Sequence, residues 1–250
     1  YPHNENSWPG KINTVYPAYH TFIKLLADVE IVHINVLNED IKNTVTSSLM
    51  ELGTNMQNIR FHVFLNNDAW ARDCGPAFLL NHNDKTKKAI VNWQYNAWGG
   101  KYPCDLDNNI PNLVAEYLDL PVFEPGIVME GGSVDFNGVG DLLTTKACLL
   151  NENRNPQLTQ QQIEDKLRGY YGVENIIWLG DGIDGDDTDG HIDDLSRFVN
   201  EDTIITAVEI NENDDNYIPL KENLAMLNKV RLLSGKQPNV VELPMPDPVI

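Results

Sequence analysis

Ile176-Ile-Trp-Leu-Gly-Asp-Gly-Ile-Asp-Gly-Asp-Asp-Thr-Asp-Gly-His-Ile-Asp-Asp-Leu195 starts as a strand and ends as a candidate site. The apolar run at 176–179 reads as a buried strand. It empties through Gly180-Asp-Gly182 into a loop, where catalytic groups tend to sit. From Asp184 to Leu195 six of the twelve residues are acidic, and they surround one histidine, His191. His191 and Asp193 are two apart, so extended backbone turns them to the same side. An imidazole and a carboxylate entering one site suit proton transfer beside a cation. Two blander readings compete. A calcium loop started at Asp184 fails, because it meets Asp189 where glycine is needed and Leu195 where glutamate is needed. A solvated Asp/Gly turn stays open on this stretch alone.

Composition narrows the classes. A chain of 250 residues is one large domain or two small ones, and 42% apolar content supports a substantial core. The formal net charge of -19 argues against nucleic acid, whose binding needs a basic surface, and favours approach of a small cation. Solubility alone would also explain it. No run of 18 apolar residues predicts a membrane span, and no basic-then-apolar segment opens the chain at Tyr1. Cys74, Cys104 and Cys148 form no C-x-x-C pair, which fits free thiols in a reducing, cytoplasmic setting. The six histidines are scattered without ligand spacing, so neither metal nor cofactor is expected.

Outward from the acidic loop, helix-then-strand units recur. Helical spacing covers 16–28, 39–52, 111–118, 160–170 and 221–233. Strands are predicted at 31–36, 59–65, 77–80, 89–93, from 122, within 141–150, at 176–179, 198–199, 203–208 and 240–243. Strands starting near 59, 122, 176 and 239 give a period of about 60 residues, the mark of a propeller-like or solenoid array. The first three empty into loops carrying Asp73, Glu130, and Asp187 with His191 and Asp193. Loops at one end of repeated units would gather these groups around one centre. The last unit has no sequel after Pro244-Met-Pro-Asp-Pro-Val-Ile250, so the reading expects a fragment of a longer array.

Three motifs in order, Trp70-Ala-Arg-Asp-Cys-Gly-Pro76, Glu130-Gly-Gly-Ser133 and Thr188-Asp-Gly-His-Ile-Asp-Asp194, resemble the agmatine deiminase and bacterial peptidylarginine deiminase family. Pro2-His-Asn4, Trp8-Pro-Gly10, Asn92-Trp-Gln-Tyr-Asn-Ala-Trp-Gly-Gly-Lys101 and Leu243-Pro-Met-Pro-Asp247 are similar to it too, so the resemblance runs along nearly the whole chain. It implies an α/β fold, a five-bladed propeller of ββαβ modules with one central site. On this reading residues 1–250 form one domain that lacks a last blade. The implied reaction hydrolyses a guanidinium to a urea with loss of ammonia, as from agmatine to N-carbamoylputrescine in putrescine biosynthesis. The implied roles follow residue by residue. Asp73 and Asp193 hold the planar cation. His191 moves protons, and Trp70 flanks the substrate. Glu130 and Asp187 shape the site and face a distal amine.

Each assignment has a plainer rival. Asp73 could pair with Arg72, Trp70 could be core, Glu130-Gly-Gly could be a tight turn, and Asp187 could be solvated loop. The family's nucleophilic cysteine belongs to a Gly-rich segment that this sequence does not contain, and Cys74 stands where the family's cysteine is not the nucleophile. The 250 residues alone are therefore expected not to turn over. The alternatives are a peptidylarginine deiminase or a non-catalytic guanidine-binding remnant. The expected partner is a small cationic guanidinium, with neither nucleic acid nor membrane, and a homo-oligomer is left open.

Overall fold

Residues 1–246 are described by the computed structural model, and 247–250, the end of the Pro-rich stretch noted above, lie outside the described residues. The first unit is helix α1 (Ile12–Ala27), strand β1 (Val32–Val36), helix α2 (Glu39–Glu51) and strand β2 (Ile59–Val63). The two strands pair in parallel, Val32 opposite Ile59 through Val36 opposite Val63. Helix α2 starts where Asn38 accepts a hydrogen bond from the Ile41 N–H, and Glu39 and Asp40 sit favourably at the positive end of its dipole. Its Val45 and Leu49 pack with Ile23, Ala27, Ile34, Val36 and Ile59.

A short helix, α3 (Ala71–Cys74), leads into the second unit. There β3 (Ala77–Leu80) runs antiparallel to β4 (Lys88–Val91), helix α4 (Ile110–Leu118) crosses over, and β5 (Val122–Phe123) returns parallel to β4. The same order recurs twice. Strands β6 (Asp135–Phe136) and β7 (Asp141–Thr145) pair antiparallel; after the short helix α5 (Lys146–Leu149) and helix α6 (Gln160–Tyr171), β8 (Asn175–Leu179) joins β7 in parallel. Strands β9 (Ser196–Phe198) and β10 (Thr203–Val208) pair antiparallel, and after helix α7 (Tyr217–Leu227) strand β11 (Asn239–Pro244) joins β10 in parallel. The result is an α/β fold of small separate sheets, three of them ββαβ in order. Among the described residues no helix is long and apolar enough to cross a membrane.

Strand β7 shows how the fold carries the site. All five residues are buried. Leu142 and Leu143 feed two different apolar clusters, while the hydroxyls of Thr144 and Thr145 donate to the carbonyls of Ser133 (2.8 Å) and Gly190 (2.5 Å). Buried hydroxyls need such partners, and these two hold the Gly-Gly turn and the acidic loop against one strand.

Several boundaries differ from the sequence reading. Helix α1 starts at Ile12, ahead of the Tyr16 where the reading began it, and runs through Pro17. Helix α7 covers 217–227 instead of 221–233, because Pro219 falls in its first turn, where a missing N–H costs nothing. Strand β6 was not foreseen, since two residues carry no period. The 141–150 stretch divides into β7 and α5 at Thr145, whose hydroxyl caps the helix through the Cys148 N–H.

Leu167 lies on α6 with no exposed surface, inside the cluster that backs the Gly-Gly turn. Leu167→Ala is expected to lower unfolding free energy by about 2–5 kcal/mol, read from the urea midpoint of the full-length protein.

Candidate active site

Three loops converge, each following the last strand of its unit. Asp73 sits on α3 after β2. Gly131–Ser133 form a single 3₁₀ turn after β5. His191 precedes a second such turn, Ile192–Asp194, after β8. Gly132 is the floor between them. Its N–H donates to Asp73 Oδ1 at 2.9 Å. A β-carbon built on it would fall 2.4 Å from His191 Nδ1, 2.7 Å from Asp73 Oδ1 and 3.0 Å from Asp193 Oδ1. Glycine is thus required by close approach, beyond the tight turn that the sequence suggested. His191 Nδ1 lies 3.7 Å from Asp73 Oδ1 and 3.9 Å from Asp193 Oδ1.

These groups open onto a cleft of about 880 Å³ whose walls include Trp70, Trp98, Asp187 and Tyr102. Among the described residues, seven Asp and Glu residues line it against one arginine, Arg72. Arg72 is half exposed and stands 3.8 Å from Asp193, so it is not the structural partner of Asp73. Trp70 is 39% exposed, so it is a wall and not core. Its ring stacks on Trp8 and meets Trp98 edge-on, both at 6.0 Å.

Burial sets the protonation states. It pushes Asp73 up against the lowering pull of hydrogen bonds from Gly132 and Trp98. Asp193 rises through burial and then through the charge of Asp73. Asp194 is pushed up to about 6 by burial and by Asp186, Asp193 and Asp73. His191 is brought down to about 4, chiefly by burial. Its Nε2 is buried without a hydrogen-bond partner. At neutral pH the imidazole is therefore uncharged and able to accept a proton.

Glu130 is not at the mouth, where a distal amine would lie. Its carboxylate has no exposed surface and is gripped by Arg154, whose Nε donates at 2.7 Å. Burial still pushes Glu130 up to about 7, with Arg154 pulling the other way. The same guanidinium donates to Asp189 (2.9 Å) and to the Thr188 carbonyl (2.8 Å). Asp189 is further held by Lys101 and Asn153, and these bonds outweigh burial and bring it down to about 2. Asp186 accepts from Thr188 and Gly190. The acidic loop is thus tied by protein donors instead of gathered round a cation. Asp187 does line the cleft; its carboxylate accepts from the Tyr102 hydroxyl at 2.8 Å, and Lys101 is 3.6 Å away.

None of the three cysteines lines the cleft. Burial raises Cys104, pushes Cys74 up to about 12 and holds Cys148 well above the usual thiol range. Ligand atoms of Glu130, Cys148 and His191 lie within 4.8 Å of one another, a grouping that sequence spacing did not reveal. Its chemistry suits a metal poorly. Zinc would need the thiolate, which burial and the Glu130 carboxylate disfavour, and it would sit beside the Arg154 guanidinium. Arg154 was also missed, because a lone arginine in Asn153-Arg-Asn-Pro156 gives no sign that it is buried.

Fold and cleft together define a class: an α/β protein of ββαβ units with an imidazole and two carboxylates arranged round an acidic cleft. The Porphyromonas-type peptidyl-arginine deiminase family model matches residues 1–250, and the chain belongs to that family. It is 40% identical over 200 residues to an agmatine deiminase of Pseudomonas syringae pv. tomato, covering 78% of this chain and 54% of that protein. It is 31% identical over 255 residues to an agmatine deiminase of Ectopseudomonas mendocina, covering 100% and 67%. The solved agmatine deiminase of Enterococcus faecalis superposes with a TM-score of 0.85 at 32% identity, over 95% of this chain and 64% of that one. The chain spans about half to two thirds of the length of these relatives.

Gly132→Ala is expected to push Asp73, His191 and Asp193 apart and to lower the melting temperature, measured by circular dichroism. Arg154→Ala strands Glu130 as a buried unpaired carboxylate and is expected to cost about 3–5 kcal/mol, with Arg154→Lys recovering part of it in the same denaturation assay.

Proposed function

We propose that the protein carrying these residues is a guanidine deiminase that converts agmatine and water to N-carbamoylputrescine and ammonia. The observation that carries this reading is the convergence of Asp73, Asp193 and His191 on Gly132. Two carboxylates suit the forked donors of a planar guanidinium. Trp70 offers its face to the cation. Asp187, on the cleft wall, is the carboxylate placed to meet a distal ammonium.

The chemistry divides into two halves. Neutral His191 takes the proton of a thiol, and the thiolate attacks the guanidinium carbon. The C–N bond then breaks, and His191 gives its proton to the departing ammonia, leaving an S-linked thiouronium. His191 next deprotonates a water that attacks the same carbon, and the C–S bond breaks to release the urea product. The thiol comes from outside residues 1–250, because Cys74, Cys104 and Cys148 do not line the cleft. The 250 residues alone therefore bind but do not turn over. The three ββαβ units and the first β-α-β unit are read as blades of a five-bladed propeller within one domain. Free thiols suit a cytoplasmic setting.

Peptidyl-arginine is the second substrate reading, favoured by the family's own description. The test is ammonia release by the full-length protein from agmatine and from a blocked arginine peptide. Agmatine is expected to be the better substrate, and His191→Ala to lose at least about a hundredfold in kcat. Faster release from the peptide would overturn the agmatine reading, and full activity of His191→Ala would overturn the proton route.

A further inference from the structure

The stretch Asn96-Ala-Trp-Gly-Gly-Lys101 is wound the wrong way. Ala97, Trp98, Gly99 and Gly100 take φ of 51°, 55°, 95° and 81° in succession. Two of them carry side chains, for which this left-handed region is sterically unfavourable. Such conformations persist only where the surroundings over-determine them, and they cluster at functional sites. Here the surroundings are explicit. The Asn96 side chain accepts from the Gly99 N–H at 2.8 Å and donates to the Asn153 carbonyl at 2.9 Å. A β-carbon on Gly99 would come within 2.2 Å of Asn153 Nδ2, the same amide that holds Asp189.

What this turn delivers is the indole of Trp98. It is 7% exposed, and its Nε1–H donates to Asp73 Oδ2 at 3.1 Å. The other Asp73 oxygen takes the Gly132 N–H. Both oxygens are therefore fixed by neutral donors. The distinction matters. A lysine or arginine here would neutralise the charge that a cationic substrate must find, whereas an indole donates and adds no charge.

We propose that Trp98 is a positioning residue for Asp73, with the left-handed turn holding its indole N–H on one carboxylate oxygen so that Asp73 presents a fixed edge to a guanidinium. The inference rests on the guanidinium reading above and specifies how the site secures its ligand. Without the indole bond, burial would protonate Asp73 at a higher pH and the cation would lose one of its two anchors. Other charged or titratable groups bear on Asp73 from each element around it. Arg72 and Cys74 lie on its own helix, and Tyr95 precedes the turn. Glu130 and Arg154 stand beyond Gly132. His191, Asp193 and Asp194 approach from the acidic loop. A test must therefore isolate Asp73.

The experiment is the pH dependence of kcat/KM for agmatine in the full-length protein, wild type against Trp98→Phe. Phenylalanine keeps an aromatic wall and removes the donor. The acid limb is expected to move upward by about one pH unit, with the two profiles drawing together at high pH. An unmoved limb overturns the inference. A second measurement is independent of turnover: the indole N–H resonance of Trp98 in the ¹⁵N-labelled wild-type protein. It is expected to titrate with pH and to lose that titration in Asp73→Asn. A resonance unchanged across the acid range overturns the inference even if the enzyme is active. Titration of the indole without any agmatine turnover in the wild type would retain Trp98 as the Asp73 donor and discard the agmatine reading.

Discussion

Arg154 is the interaction on which the site depends. Its side chain has no exposed surface, and its guanidinium spans two loops that share no strand. One side grips Glu130, immediately before the Gly131–Ser133 turn. The other grips Thr188 and Asp189, just before His191. A buried ion pair of this kind adds little net stability, because desolvation offsets most of the attraction. Its value lies in geometry: it fixes the distance between the floor of the cleft and the imidazole above it. The Thr145 bond to the Gly190 carbonyl reinforces the same joint from β7.

Two arginines stand near the acidic lining of the cleft. Arg154 is committed to Glu130 and Asp189. Arg72 stands half in water, at the limit of ion-pair distance from Asp193. Neither forms an ion pair with Asp73, which is held by an amide and an indole. Asp73, Asp193 and Asp194 consequently sit in one another's field, and all three are pushed upward by burial and, for Asp193 and Asp194, by their neighbours' charge. A planar cation with several donors would relieve that repulsion and satisfy the open lone pairs together. The charges in place thus favour the same ligand class as the proposed reading.

The legible part of the sequence was the part written locally. Period and turn residues gave the helices and most strands, because side-chain periodicity is a property of neighbouring residues. Asp73, His191 and Asp193 were legible because each lies in a polar loop directly after a strand. Glu130 was read as a substrate contact, since a carboxylate before Gly-Gly carries no mark of the arginine that buries it. Arg154 and Trp98 act across more than twenty residues of sequence on Glu130 and Asp73. Nothing in their own neighbourhoods shows that reach, except the Gly-Gly after Trp98, which permits a left-handed turn without revealing what the turn is for.

Burial treats the ionisable groups here in opposite ways, and the contrast sorts their roles. It discharges His191, leaving a neutral base beside two carboxylates. It also keeps Cys74 and Cys148 as thiols, and neither borders the cleft. A nucleophile needs a lowered pKa and a path to its target. These two have neither, so their place is in the packing behind the site. On the proposed reading, the 250 residues supply carboxylates for a planar cation and a base for its protons. Forming a covalent bond to that cation asks for a thiol in a different electrostatic setting, next to the imidazole and open to the cleft.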